Sequence, residues 1–95
     1  MHGTIRGTLE IRHYPPNDAV STYLAWTIVD LKEVYPPIVY YLTVGGKLVI
    51  SINDVGEFKE GDFVTVKGIV YSNQSYDGST ESLFVDILSV EKGIC

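Results

Sequence analysis

An all-β fold is predicted for this chain of 95 residues. Three observations predict it. Apolar residues recur at every second position in several stretches, glycine and proline separate those stretches at short intervals, and β-branched residues are concentrated within them. The best anchor is Gly61 to Tyr71, GDFVTVKGIVY. Val64, Val66, Gly68 and Val70 share one side, and Phe63, Thr65, Lys67, Ile69 and Tyr71 share the other. A glycine inside such a strand marks a bend, a bulge or a close neighbour. A small closed barrel needs bent strands, so a barrel is preferred to a sandwich.

Taken in order, residues 3 to 14 read as a half-buried strand. Ile5, Gly7, Leu9 and Ile11 alternate with Thr4, Arg6, Thr8, Glu10 and Arg12. Pro15, Pro16, Asn17 and Asp18 end it, because proline offers no ladder N–H and Asn and Asp favour turns. Residues 20 to 33 suit a strand better than a helix. They are rich in β-branched residues and stop at Tyr35-Pro36-Pro37 without a helix cap. Trp26 falls in register with Leu24 and Ile28 and is read as core.

Residues 38 to 52, IVYYLTVGGKLVISI, read as a hairpin around Gly45-Gly46. Glycine tolerates the positive φ of a two-residue turn. The register sets Val44 against Lys47, Leu42 against Val49 and Tyr40 against Ser51. The opposite side, with Val39, Tyr41, Thr43, Leu48, Ile50 and Ile52, is more apolar and is expected to face the core. Tyr40, Lys47 and Ser51 are then expected at the surface. Residues 53 to 60 are a polar connection with Val55 and Phe58 placed to plug a barrel end. Residues 72 to 82 read as a long polar loop turning at Asp77-Gly78. Residues 83 to 91, LFVDILSVE, are a last strand, apolar on both faces and so either covered on both or bent by a bulge.

Composition bounds the function. One small domain, residues 1–95, is expected, large enough to bury a core. No apolar run approaches the ~20 residues of a membrane helix. The N-terminus lacks the apolar core of a signal peptide, and the single cysteine, Cys95, cannot form an internal disulfide. A cytoplasmic protein with no membrane partner is therefore expected. The net charge is −5. Residues 1–50 are balanced, so the whole negative excess lies in residues 51–95. Such a balance repels phosphates at long range, although a local face can differ from the total.

The run from Val39 to Glu91 resembles the OB-fold, the oligonucleotide- and oligosaccharide-binding superfamily. YYLTVGGKLVISI resembles its second and third strands, FKEGDFVTVKGIVY its fourth, and SLFVDILSVE its fifth after a variable loop. The resemblance implies a small five-stranded Greek-key barrel. Residues 3 to 14 are then either an extra N-terminal strand or the first barrel strand, with residues 20 to 33 second. It also implies binding of single-stranded nucleic acid, oligosaccharide or protein. The helix usual between strands three and four is reduced to a turn here.

Catalysis finds little support. His2 and His13 are the only histidines, and no nucleophile triad, phosphate loop, metal-ligand cluster or cofactor motif is present. Acidic pairs such as Asp54/Glu57 read as solvated turn charges. Single-strand binders instead stack bases on aromatics, worth ~1–3 kcal/mol per base, and set cations along the backbone. The outward candidates are Tyr23, Tyr40 and Tyr71 for stacking and Lys47 and Lys67 for phosphates. Arg6, Arg12 and the loop around Tyr76 are auxiliary. The sequence thus favours a non-catalytic module for single-stranded nucleic acid, with a protein-interaction or oligomerisation module of acidic surface as the alternative.

Overall fold

A computed structural model describes residues 1–14, 24–32, 34–74 and 81–93. Tyr23, Tyr76 and Cys95 lie outside the described residues. The chain forms β1 (His2–His13), β2 (Leu24–Asp30), β3 (Val39–Val44), β4 (Lys47–Leu48), β5 (Phe63–Gln74) and β6 (Glu81–Lys92). A single 3₁₀ turn, Ile52–Asp54, is the only helical element among the described residues.

The sheet runs β2-β1-β5-β6-β3-β4, and β2 also pairs with β3. Five strands therefore close into a barrel-like ring, β1-β2-β3-β6-β5. Strands β1, β2 and β3 form an antiparallel meander, and β5 returns to lie beside β1, which is the Greek-key order. Strand β6 fills the remaining gap, antiparallel to β5 and parallel to β3. Residues 3 to 14 are accordingly the first ring strand and not an addition to it.

The hairpin departs from expectation. Val44 does face Lys47, and Val49 N–H bonds Leu42 C=O at 3.0 Å. The returning arm nevertheless ends as the two-residue β4, which lies outside the ring. The second ring strand is β2, and the hairpin contributes only the third. Its faces are also reversed from Tyr40 to Val49, although Ile52 reaches the main core as expected. Leu42 and Val49 enter the main core with Tyr40 packed against it, while Tyr41 and Leu48 belong to a second cluster on the other side. Both sides of β3 are covered, so apolar count alone could not choose between them. The expected long loop is also shorter, because β5 runs on to Gln74 and β6 begins at Glu81, with Asn73 paired to Ser82.

The main core lies inside the ring. Alternate residues deliver it as read: Ile5 and Leu9 from β1, Trp26 and Ile28 from β2, Val64 and Val66 from β5, Val85 from β6. Val55 and Phe58 pack against it from the connection after the 3₁₀ turn. Phe58 also carries the Lys92 Nζ 5.8 Å above its ring.

Two glycines permit the curvature. A Cβ on Gly68 would fall 2.1 Å from the Asp86 carbonyl oxygen, and one on Gly7 would fall 1.9 Å from that of Val29. At Gly68 the register slips: Gly68 pairs with Ile87 and Lys67 with Ser89, leaving Leu88 as the extra residue of a bulge. Leu88 is accordingly exposed, although its neighbours Ile87 and Val90 pack against the core. Gly68→Ala should therefore lower stability by about 1–3 kcal/mol in urea unfolding, since backbone must move to admit the methyl. An unchanged midpoint would mean that the close approach at the bulge is not structural.

Candidate binding face

The ring's outer face carries a feature that the sequence did not announce. Register links Glu10 to Thr27, Thr27 to Tyr41, Tyr41 to Phe84 and Phe84 to Tyr71. These residues form one row across β1, β2, β3, β6 and β5. The Tyr41 and Phe84 rings are 5.8 Å apart, and Phe84 and Tyr71 stack at 5.2 Å with 13° between planes. Tyr14, just after β1, meets Tyr41 edge-on at 5.0 Å and Phe84 at 5.7 Å. Such pairs are each worth ~0.5–1.5 kcal/mol beyond their burial.

Polar bonds fix the row at both ends. The Tyr41 hydroxyl reaches back across β2 and donates to the His13 carbonyl at 2.5 Å, while Ala25 belongs to the same buried cluster. Small residues at Ala25 and Thr27 make room for that reach. The Thr27 hydroxyl donates to the Glu10 carbonyl at 2.9 Å. At the far end the Tyr71 hydroxyl donates to Thr43 Oγ1 at 3.1 Å, and Thr43 in turn donates to Asp86 Oδ1 at 2.8 Å. The same Oδ1 accepts the Gly46 N–H at 2.9 Å, tying the glycine turn to β6.

A cleft of ≈ 760 Å³ opens beside the row, between Glu10–His13, residues 36–39 and Glu81–Leu83. Its walls mix exposed Pro36, Pro37 and Leu83 with charges of both signs. Arg12 Nε is 3.2 Å from Glu10 Oε1, but out of line for a hydrogen bond. Glu81 adds a second carboxylate and Asp86 a third on the same outer face.

The expected site residues do not converge. Tyr71 stands in the aromatic row, half-buried, with one ring face against Phe84. Lys47 is exposed at the tip of the β3–β4 turn. Tyr40 was expected on the surface and is instead half-buried on the inward side, paired with Ile28 and Leu83 and packed against the core. Lys67 is exposed on β5, paired with Thr4 and Ser89. It shares the outward side of β5 with Tyr71, the one instance of an expected cation and an expected ring on the same strand face. Tyr23 lies outside the described residues. Sequence reasoning missed Tyr41, Phe84 and Asp86. The available signal was Asp86 itself, a carboxylate in the middle of the otherwise apolar run Leu83–Leu88.

Among the described residues no group of three His, Cys, Asp or Glu is placed to hold a metal ion. No helix among them is long and apolar enough to cross a membrane. Comparison with protein-family models, curated proteins and solved structures finds no match.

Burial raises the Tyr41 hydroxyl above its ordinary value of 10.0; nearby Arg12 opposes this and Tyr14 adds to it. The sign follows from linkage. Above pH 10 the unfolded chain loses this proton first, so the contribution is complete below that pH and fades as pH rises toward the folded value. Tyr41→Phe should cost about 0.5–1.5 kcal/mol at neutral pH and flatten the alkaline fall in stability. Equal alkaline slopes for the two proteins would mean that the hydroxyl is not shielded.

Proposed function

We propose that this chain is a non-catalytic binding module with OB-fold-like wiring, and that its ligand is another protein held in the outer cleft. The wiring supports the first part. The ring closes in Greek-key order, and the cleft opens on its outer side, lined by the end of β1, residues 36–39 and the start of β6. OB-folds likewise take their ligands on an outer face of the barrel.

The observation that carries the choice of ligand is the character of this face. Its rings pack on one another, whereas a single-strand binder must leave ring faces free for bases. Its charges are Arg12 against Glu10, Glu81 and Asp86, which a polyanion would meet unfavourably. Exposed prolines and a leucine beside charges of both signs suit a protein surface, where an apolar centre is rimmed by polar groups.

A second reading, single-stranded nucleic acid, draws on the shared outward face of Lys67 and Tyr71. One pair of measurements separates the two. A photo-crosslinking residue at Pro37 or Leu83, expressed in cells, should trap a protein, and the same residue at exposed Asn53, outside the cleft, should not. Labelled poly-dT and poly-U, followed by anisotropy at low salt, should not bind. Salt-sensitive binding weakened by Lys67→Ala and Tyr71→Ala, with no crosslinks from the cleft, would reverse the assignment.

A further inference from the structure

A second groove, of ≈ 530 Å³, runs beside the first half of β1, opposite residues 30–32. Strand β1 pairs with β5 over His2–Thr8 but with β2 only over Gly7–His13. Leu31 N–H bonds the Arg6 carbonyl at 3.0 Å, and there the β2 side ends. Among the described residues no strand pairs with this side of β1 before Arg6, which leaves that edge open.

Parity shows which groups face that edge. A residue in a strand sends its N–H and C=O to the same side. Arg6 points its carbonyl to the β2 side, whereas Met1 and Leu9 point theirs to the β5 side, accepting from Val70 and Gly61 at 2.8 Å each. Even positions therefore face the β2 side. The N–H and C=O of Thr4 open into the groove with no hydrogen-bond partner among the described residues. An unsatisfied strand edge is a template for another strand.

The groove's side chains restrict what that strand may be. Toward the ring interior lie Ile5, Tyr40 and Val70, in or packed against the core. On the rim stand exposed Arg6 and Lys32, neither of which forms an ion pair among the described residues. Asp30, the one carboxylate among the described rim residues, is turned onto the Lys32 N–H at 3.0 Å. His2 lines the groove and also a further hollow on the other side of β1, where Lys67 stands. An acidic chain, net −5, thus sets two of its cations, Arg6 and Lys32, beside this open edge.

We propose that this edge of β1 captures an extended, acidic segment of a partner protein by strand addition. Apolar residues of that segment would point at Tyr40 and Val70, and alternate acidic residues would point at Arg6 and Lys32. Main-chain bonds to Thr4 would supply affinity and the alternating pockets specificity. The one tyrosine at the edge, Tyr40, is packed against the core, which leaves no broad aromatic platform for a base. The proposal shares with the preceding one the idea of a protein partner, but it uses a different site.

The test is anisotropy with a labelled peptide of about eight residues alternating valine and glutamate, the length of an ordinary strand. Its controls are a valine-lysine peptide and a dT oligomer. The glutamate peptide should bind, and the controls should not. Arg6→Glu combined with Lys32→Glu should weaken binding at least about tenfold. Thr4→Pro removes only an N–H that faces the open edge, so it should melt near wild type and lose binding. Should Thr4→Pro unfold, the charge-reversal pair decides alone. Absence of peptide binding at low salt, equal binding of the lysine peptide, or preference for dT would each overturn the proposal. None of these would affect crosslinks from the outer cleft.

Discussion

Closure of the ring through β6 is the constraint on which the rest depends. An open sheet of these strands would leave rows of backbone donors and acceptors without partners. Strand β6 removes most of them by pairing antiparallel with β5 and parallel with β3. Strands joined on both edges must curve, and curvature brings backbone against backbone. Gly68 and Gly7 stand where a carbonyl approaches within what a Cβ would occupy. The bulge that expels Leu88 completes the bend. The β-branched character of β5 and the missing side chain at position 68 are therefore parts of one requirement.

The same closure decides what remains for binding. Because β3 and β6 are covered on both sides, Tyr41 and Phe84 are drawn into a packed outer row and are not left as platforms. The glycine turn is fastened to this row through Asp86, Thr43 and Tyr71, so the hairpin is positioned from the outside as well as from the core. What stays accessible is the mixed cleft beside the row and the open half-edge of β1. These two places differ in chemistry. The first combines apolar and charged groups of both signs, and the second is a backbone edge rimmed by cations. An acidic average charge concealed the second.

Strands with one buried face were legible in the sequence. Ile5, Gly7 and Leu9, and then Val64, Val66 and Gly68, point inward as period two requires. Trp26 is core, and the Gly45-Gly46 turn holds positive φ at both residues. Strands covered on both sides were not legible in the same way. For β3 the choice between Leu42 and Tyr41 as the inward residue has no local signal, since each is buried against a different cluster. The assignment of Tyr40 to the surface failed for that reason. The aromatic row was hidden because its members are distant in sequence and meet only through register. The ring order likewise rests on pairings between β1 and β5 and between β3 and β6, for which single-sequence periodicity carries no information.

Backbone NOEs across β3 and β6, on uniformly labelled protein, would test closure most directly. Closure requires contacts between Tyr41 and Phe84 and between Leu42 and Val85 in a parallel pattern, with slow amide exchange along both strands. Fast exchange on β3, or an antiparallel pattern placing β4 beside β6, would contradict the closed ring and the outer row built upon it.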